Sequence, residues 1–119
     1  MFSPLLIHKK IGSFNKKIIV SGDKSLSIRW ALLASQAIGK SKAHNLLMSE
    51  DVMAALNALK RLGIKVRIKE NSCEIFGNGI NGFKYKKNLT INAKNSGTLG
   101  RLILGLLIKS PKKIKLIGD

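Results

Sequence analysis

Within the stretch Ser21-Gly22-Asp23-Lys24-Ser25-Leu26-Ser27-Ile28-Arg29 a glycine turn, a hydroxyl and two cations stand directly ahead of an apolar run from Trp30 to Ile38. The spacing predicts a turn feeding a helix, with Ser25 as N-cap and Lys24 just outside the helix start. The first amides of a helix have no acceptor inside it, and they favour an anion. Arg29 falls one turn beyond Ser25 on the same side, so a hydroxyl, free amides and two positive charges converge. Such a set can hold a phosphate or a carboxylate. Taken alone, it equally describes a capped surface helix with a loose lysine.

A second stretch repeats the pattern. Asn95-Ser96-Gly97-Thr98-Leu99-Gly100-Arg101 follows the strand-like Leu89 to Asn92 and opens the apolar run Leu102 to Ile108. Thr98 is the expected capping hydroxyl, Arg101 the cation three residues on, and Gly97 the residue that lets backbone approach a ligand. Two anion-facing helix starts imply a ligand set with two anionic groups. Neither stretch has the spacing of a phosphate loop ending in Gly-Lys-Ser/Thr or of a dinucleotide fingerprint.

The elements that must position these turns are legible in outline. Lys17 to Val20 is short and β-branched and reads as a strand or a crossing segment ahead of the first turn. The first helix presents Leu26, Trp30, Leu33 and Ala37 as its apolar stripe and ends at Gly39. Ser41 to Leu47 reads as a strand. Ser49 caps a second helix with Glu50 and Asp51 in its first turn, a face of Val52, Leu56, Leu59 and Leu62, and a stop at Gly63. Ile64 to Ile68 alternates as a half-buried strand and pairs through Lys69-Glu70-Asn71-Ser72 with Cys73 to Phe76. Asn78-Gly79 and Asn81-Gly82 mark turns before the Leu89 strand, and Ile114 to Ile117 begins another after Pro111.

The chain has 119 residues, enough for one modest core, and carries 22 basic against 6 acidic residues, a formal net charge of +16. Such a charge suggests nucleic acid. However, lysines outnumber arginines 18 to 4, only one Trp and one Tyr are present, and no zinc-finger or RNA-recognition signature occurs. The clusters at Lys84 to Lys87 and Lys109 to Lys113 fall at turns and read as a solvated face, so nucleic acid is expected to bind only nonspecifically. The lone Cys73 reads as a buried structural thiol, and His8 and His44 lack the neighbours of a metal site. No apolar run is long enough to span a membrane, and the start lacks a secretory pattern, which leads to the expectation of a cytoplasmic protein.

Three segments together resemble the enolpyruvyl transferases. They are Gly22 to Arg29, then Asn45 to Val52 leading into Leu56 to Gly63, and Asn95 to Arg101 with Leu102 to Leu107. The first is more similar to the branch that acts on shikimate 3-phosphate than to the branch that acts on a UDP-amino sugar, where alanine, lysine and asparagine would stand in place of Asp23-Lys24-Ser25. The resemblance implies an α/β (α+β) fold of βαβαββ units, with helices inside and sheets outside an inside-out barrel. It implies that this chain is an N-terminal piece. Residues 1–19 form a lead-in that pairs with a second domain, and residues 20–119 form a partial first domain, one unit and part of another. The echo of Ser21-Gly22-Asp23 in Ile117-Gly118-Asp119 accords with a chain stopping inside a repeat. An apolar flank is then expected to be exposed where the next unit docks.

The implied reaction joins phosphoenolpyruvate to shikimate 3-phosphate and releases phosphate, with no metal or organic cofactor. By resemblance, Lys24, Ser25 and Arg29 contact shikimate 3-phosphate, and Lys24 also approaches phosphoenolpyruvate as a catalytic candidate for proton transfer. Asn95 and Gly97 belong to the phosphoenolpyruvate pocket. Thr98 and Arg101 support that second turn, and Asp51 holds the fold together or orients the Lys24 region. The acid-base carboxylates of the family lie in its second domain, so the partner required is the remaining C-terminal part, and the isolated chain is expected to be inactive. Ser21, Ile28, Lys94 and Gly100 depart from the family pattern, Lys94 standing where glycine is customary. A small basic nucleic-acid-binding domain is the reading from a different class.

Overall fold

The computed structural model describes residues 3–4, 6–10, 12–70 and 72–119. Met1, Phe2, Leu5 and Ile11 of the lead-in, and Asn71 of the expected hairpin turn, lie outside the described residues. The elements run α1 (Lys24–Gln36), β1 (Ile38–His44), α2 (Glu50–Arg61), β2 (Lys65–Lys69), β3 (Ser72–Asn78), β4 (Leu89–Asn92), α3 (Gly97–Leu107) and β5 (Ile114–Ile117). This is a mixed α/β fold.

The β2 and β3 pairing expected from the sequence is present, with Ile68 opposite Cys73. It is half of a larger ladder, because β3 also pairs antiparallel with β1, from Ile38 opposite Asn78 to His44 opposite Ser72. The central position of β3 explains its strict alternation: Cys73, Ile75 and Gly77 face the helices and are buried. Burial also pushes the Cys73 thiol above its ordinary pKa, as desolvation disfavours the thiolate. β4 and β5 form a separate parallel pair joined through α3.

Helix α2 packs as its periodicity predicts, since Val52, Leu56, Leu59 and Leu62 are all fully buried. Its last turn closes on Gly63, whose φ of +84° is open to glycine at little strain. Helix α1 departs from expectation. Of the stripe assigned to it, Leu26 is 64% and Leu33 71% exposed, and the buried face is instead Ser27, Ile28, Ala31, Leu32, Ala34 and Ser35. The middle of the helix, Trp30 to Ala34, is apolar on every side, so periodicity alone could not choose. Close approach decides it. A Cβ on Gly77 would lie 2.2 Å from the Ala37 carbonyl oxygen and 2.3 Å from that of Ala34, and only the small-residue side of α1 can sit so near β3.

The same contact ends the helix early. α1 stops at Gln36, not Gly39, because Ala37 turns extended and its carbonyl accepts the Gly79 N–H at 3.0 Å. Pairing of Ile38 with Asn78 then draws residues 38–44 into β1, earlier than the expected strand from Ser41 to Leu47. Lys17 to Val20 does not form a strand either. Its β-branched residues favour extended backbone, but a strand requires a ladder, and here the tie to β1 is one side-chain bond from Asn45 Nδ2 to the Val20 carbonyl. Ile18 and Ile19 stay exposed.

α3 touches α1 and α2 through buried Leu99 and Ile103, while Leu102, Leu104 and Ile108 face outward. With Leu26 and Leu33 they leave apolar surface on two helices, the kind of flank the sequence anticipates. Because the Gly77 contact is made to backbone, it cannot relax by a side-chain rotation. Gly77→Ala is expected to lower unfolding free energy by at least ~3 kcal/mol, measured by urea denaturation, with Gly105→Ala, which meets nothing within 4 Å, as the tolerated counterpart.

Candidate functional site

At the first turn the capping group is Asp23, not Ser25. The Asp23 carboxylate accepts the Leu26 N–H at 2.7 Å, and its backbone carbonyl accepts the Ser27 N–H at 2.9 Å. Asp23 holds extended backbone angles, as an N-cap must, which moves Lys24 and Ser25 to the first two helical positions. A carboxylate two residues earlier reaches the third amide better than the Ser25 hydroxyl could from within the helix. The helical amides met neither by an i−4 carbonyl nor by the cap side chain are those of Lys24 and Ser25. They sit beside one fixed negative charge, so an anion there depends on the cations around it.

One of those cations is already engaged. Lys24 Nζ lies 3.1 Å from Asp51 Oδ2, and the lysine side chain is 52% exposed where the carboxylate is 18% exposed. Asp51 stands in the first turn of α2, whose N-cap is Ser49, as expected: its hydroxyl accepts the Val52 N–H at 3.4 Å. Two sequence segments 27 residues apart thus meet at one ion pair. Half-exposed pairs of this kind contribute little to stability, on the order of 0–1 kcal/mol. Their effect is to set where the ammonium group rests.

At the third helix the cap is Ser96, not Thr98. The buried Ser96 hydroxyl accepts the Leu99 N–H at 3.2 Å, its carbonyl takes the Gly100 N–H at 3.0 Å, and Thr98 becomes the second helical residue. Again two amides are left over, those of Gly97 and Thr98. No carboxylate caps this helix. The Arg101 guanidinium folds back over the helix start, close enough that a Cβ on Gly97 would lie 3.1 Å from its Nη2. Lys94 takes φ +54°, a left-handed conformation in a non-glycine residue. It is pinned there on both sides: its N–H donates to Asn92 Oδ1 at 2.8 Å, and its carbonyl accepts the Asp119 N–H at 3.0 Å.

Open clefts adjoin both turns. The first is lined by residues 17–23 with Leu26, Trp30 and Asn45, and it does not include Lys24, Ser25 or Arg29, which lie to its side. The second is lined by Lys94, Asn95, Ser96, Gly97, Gly118 and neighbours, without Thr98 or Arg101. The structure therefore brings Lys24 to Asp51 and Arg101 to Gly97, keeps Ser25 and Arg29 on one helix, and gives the two turns separate clefts. Asp23, Asn45, Asn92 and Ser96 shape these turns and escaped the sequence reading. Asp and Ser directly ahead of the helices were the available signal. Among the described residues no cluster of three metal-ligating side chains occurs, and no helix is long and apolar enough to cross a membrane.

A family model for EPSP synthase (3-phosphoshikimate 1-carboxyvinyltransferase) matches residues 8–119. A 3-phosphoshikimate 1-carboxyvinyltransferase of Streptococcus pyogenes serotype M1 is 39% identical over 108 residues, 91% of this chain and 25% of that protein. The same figures hold for its counterpart in serotype M49 strain NZ131. Among solved structures, an EPSP synthase from Acinetobacter baumannii superposes with a TM-score of 0.72 at 32% identity, over 87% of this chain and 24% of that one. The chain spans about a quarter of the length of the relatives it matches.

The reassigned caps make a direct test. Asp23→Ala and Ser96→Ala should each lower stability by ~1 kcal/mol, while Ser25→Ala and Thr98→Ala stay within ~0.5 kcal/mol; equal effects at Ser25 and Asp23 in thermal denaturation would return the cap to Ser25. Lys94→Gly should raise stability by ~0.5–1 kcal/mol, since relief of left-handed strain outweighs the added freedom of the unfolded chain, and Lys94→Val should lower it by at least ~1 kcal/mol. Chemical denaturation of the two variants gives both signs.

Proposed function

Because this chain belongs to the EPSP synthase family, we propose that it supplies the N-terminal part of a transferase that moves the enolpyruvyl group of phosphoenolpyruvate to shikimate 3-phosphate and releases inorganic phosphate. It works in the cytoplasm and is inactive until joined by the remaining part of the enzyme. The observation that carries this reading is that Lys24, Ser25, Arg29, Asn95 and Gly97 all stand at two uncrowded helix starts within a match that runs from residue 8 to 119.

Both substrates carry a phosphate and a carboxylate. Free amides at a helix start supply fixed donors that need no reorganisation, and side-chain cations add charge where the phosphates arrive. In this reading Lys24, Ser25 and Arg29 hold shikimate 3-phosphate at α1. Asn95 and the Gly97 amide hold phosphoenolpyruvate at α3, with Arg101 and Thr98 keeping that turn in shape. Lys24 rests on Asp51 before substrate binds and turns its ammonium toward the enolpyruvyl group when it does, which its half-exposed position permits. Proton delivery from Lys24 to the methylene carbon leaves the adjacent carbon electrophilic; the acceptor hydroxyl adds there, and the tetrahedral intermediate then loses phosphate from that carbon and a proton from the new methyl group, which forms the enol ether, the methyl proton returning to the Lys24 amine and the hydroxyl proton leaving with phosphate. No metal or organic cofactor enters.

The proposal assigns residues 1–19 to pairing with a second domain and residues 20–119 to a partial first domain. The remainder covers Leu26, Leu33, Leu104 and Ile108 and closes the barrel. Lys94, bulkier than glycine and exposed at the rim of the second cleft, alters phosphoenolpyruvate affinity more than turnover.

The test is a chimera in which residues 8–119 of this chain replace the matching quarter of the Streptococcus pyogenes serotype M1 relative, with phosphate release followed in the presence of both substrates. Turnover is expected in the chimera and absent from the 119-residue chain. Lys24→Ala should cut kcat/KM at least ~100-fold, and Lys94→Gly should lower KM for phosphoenolpyruvate with kcat little changed. A folded chimera without turnover, or phosphate release by the short chain alone, would refute the assignment.

A further inference from the structure

The three-stranded sheet has a second face, away from α1 and α2, that the transferase reading leaves unused. Because side chains alternate across a strand, the register fixes what stands on it. The edge strand β1 contributes Lys40, Lys42 and His44; the other edge, β2, contributes Lys65, Arg67 and Lys69; the central strand β3 contributes Ser72, Glu74 and Phe76. Read across the sheet, the rows are Lys40, Phe76, Lys65, then Lys42, Glu74, Arg67, then His44, Ser72, Lys69. Five of the six edge positions are Lys or Arg, and all six are exposed.

This is not a scatter of surface charge. The inward positions of the same strands hold no charge at all, being Ser41 and Ala43 on β1, Val66 and Ile68 on β2, and Cys73 and Ile75 on β3. Outward, Glu74 is the one acid within the strands, and among the described residues Lys40 alone lies within 4 Å of it, at 3.6 Å. Glu70 stands at the hairpin turn beyond the last row. The half-buried Phe76 ring occupies the middle, with Arg67 at 5.0 Å and Lys65 at 5.3 Å from its centroid. The two basic columns are two strand spacings apart, about 10 Å, and repeat every ~6.8 Å along each strand.

We propose that this face binds single-stranded nucleic acid without sequence preference, its backbone following the lysine columns and a base stacking at Phe76. A basic surface with a central aromatic on a flat sheet is the arrangement such a ligand needs. A duplex fits poorly, because three strands are too broad for a major groove that admits a helix or a two-stranded ribbon. His44 at the end of β1 also lines the first helix-start cleft, whereas the five cations of the face line neither helix-start cleft.

The probe is a fluorescein-labelled oligothymidylate, followed by anisotropy against the 119-residue chain over a range of salt. With about −0.7 in slope per cation for a single strand, five cations give a log–log salt slope of about −3.5. Joint replacement Lys42→Gln, Lys65→Gln, Arg67→Gln and Lys69→Gln should weaken binding at least tenfold and bring the slope toward −1. The matched set Lys86→Gln, Lys87→Gln, Lys109→Gln and Lys113→Gln should change it less than threefold. Phe76→Leu should weaken oligothymidylate about fivefold and leave heparin, which has no bases, unaffected. Equal losses in the two lysine sets, an unchanged oligothymidylate affinity in Phe76→Leu, or no binding at low salt would each overturn the proposal. Should circular dichroism show the sheet variant unfolded, acetylation footprinting of the unsubstituted chain decides: selective protection of Lys42, Lys65 and Lys69 upholds it, and uniform protection overturns it.

Discussion

Both helix-start turns depend on one constraint, the contact of a glycine with the backbone carbonyl of a neighbouring segment. A Cβ on Gly22 would lie 2.8 Å from the Asn45 carbonyl oxygen, and a Cβ on Gly118 would lie 2.9 Å from that of Lys94. In each case the carbonyl belongs to a non-glycine residue held at positive φ, 58° for Asn45 and 54° for Lys94. The left-handed residue swings its carbonyl sideways into the neighbouring segment, and only a residue without a side chain can lie against it. Ala93 N–H to the Ile117 carbonyl at 2.8 Å and Asp119 N–H to the Lys94 carbonyl at 3.0 Å extend the β4 and β5 ladder through this point. The repeated Gly-Asp pairs at 22–23 and 118–119 are therefore one device used twice. It fixes where the chain enters α1 and how it leaves the turn ahead of α3.

Much of the scaffold could be read from the sequence because its signals were local. Ser49, the acidic first turn, the Val52 to Leu62 face and Gly63 all specify α2 without help from the rest of the chain. The β2 and β3 hairpin was legible for the same reason, as alternation and a short connection suffice. The failures share a different cause. Choosing the buried face of α1, ending it at Gln36 and starting β1 at Ile38 all require knowing that Gly77, some forty residues later, packs against Ala34 and Ala37. Both caps were misread by two residues, because a hydroxyl inside the first turn resembles a capping group ahead of it until backbone angles are known. Lys24, Asp51, Asn95 and Gly97 stood in motifs whose resemblance already tied Asp51 to the fold or to the Lys24 region; that the two form an ion pair at 3.1 Å was visible only in space.

Helix α1 is apolar all round through its middle, from Trp30 to Ala34, more than one buried face requires. Helix α1 buries its narrow face on the sheet and leaves Leu26 and Leu33 in solvent, while α3 leaves Leu104 and Ile108 there. A helix of that composition is normally surrounded. Since the chain spans about a quarter of its relatives' length, the surplus apolar surface is what a piece of a larger α/β domain should carry. The sheet's outer face, with Lys or Arg at five of its six edge positions, is by contrast finished as a surface.

The distribution of the few acids explains why the proposed anion sites fall at two of the three helix starts. All three helices end in free amides, and a chain with 22 cations would attract anions everywhere if lysine number were decisive. At α2 the first turn holds Glu50 and Asp51, so its own carboxylates answer the helix dipole and exclude a further anion. At α1 a single carboxylate, Asp23, is consumed by capping, and the site becomes positive only through Lys24 and Arg29. At α3 the cap is a neutral hydroxyl, so the backbone itself stays positive and Arg101 adds to it. The two sites consequently draw their charge from different sources, side chains at α1 and peptide dipoles at α3. A ligand at α1 must compete with Asp51 for Lys24, whereas a ligand at α3 meets donors that have no other partner to leave.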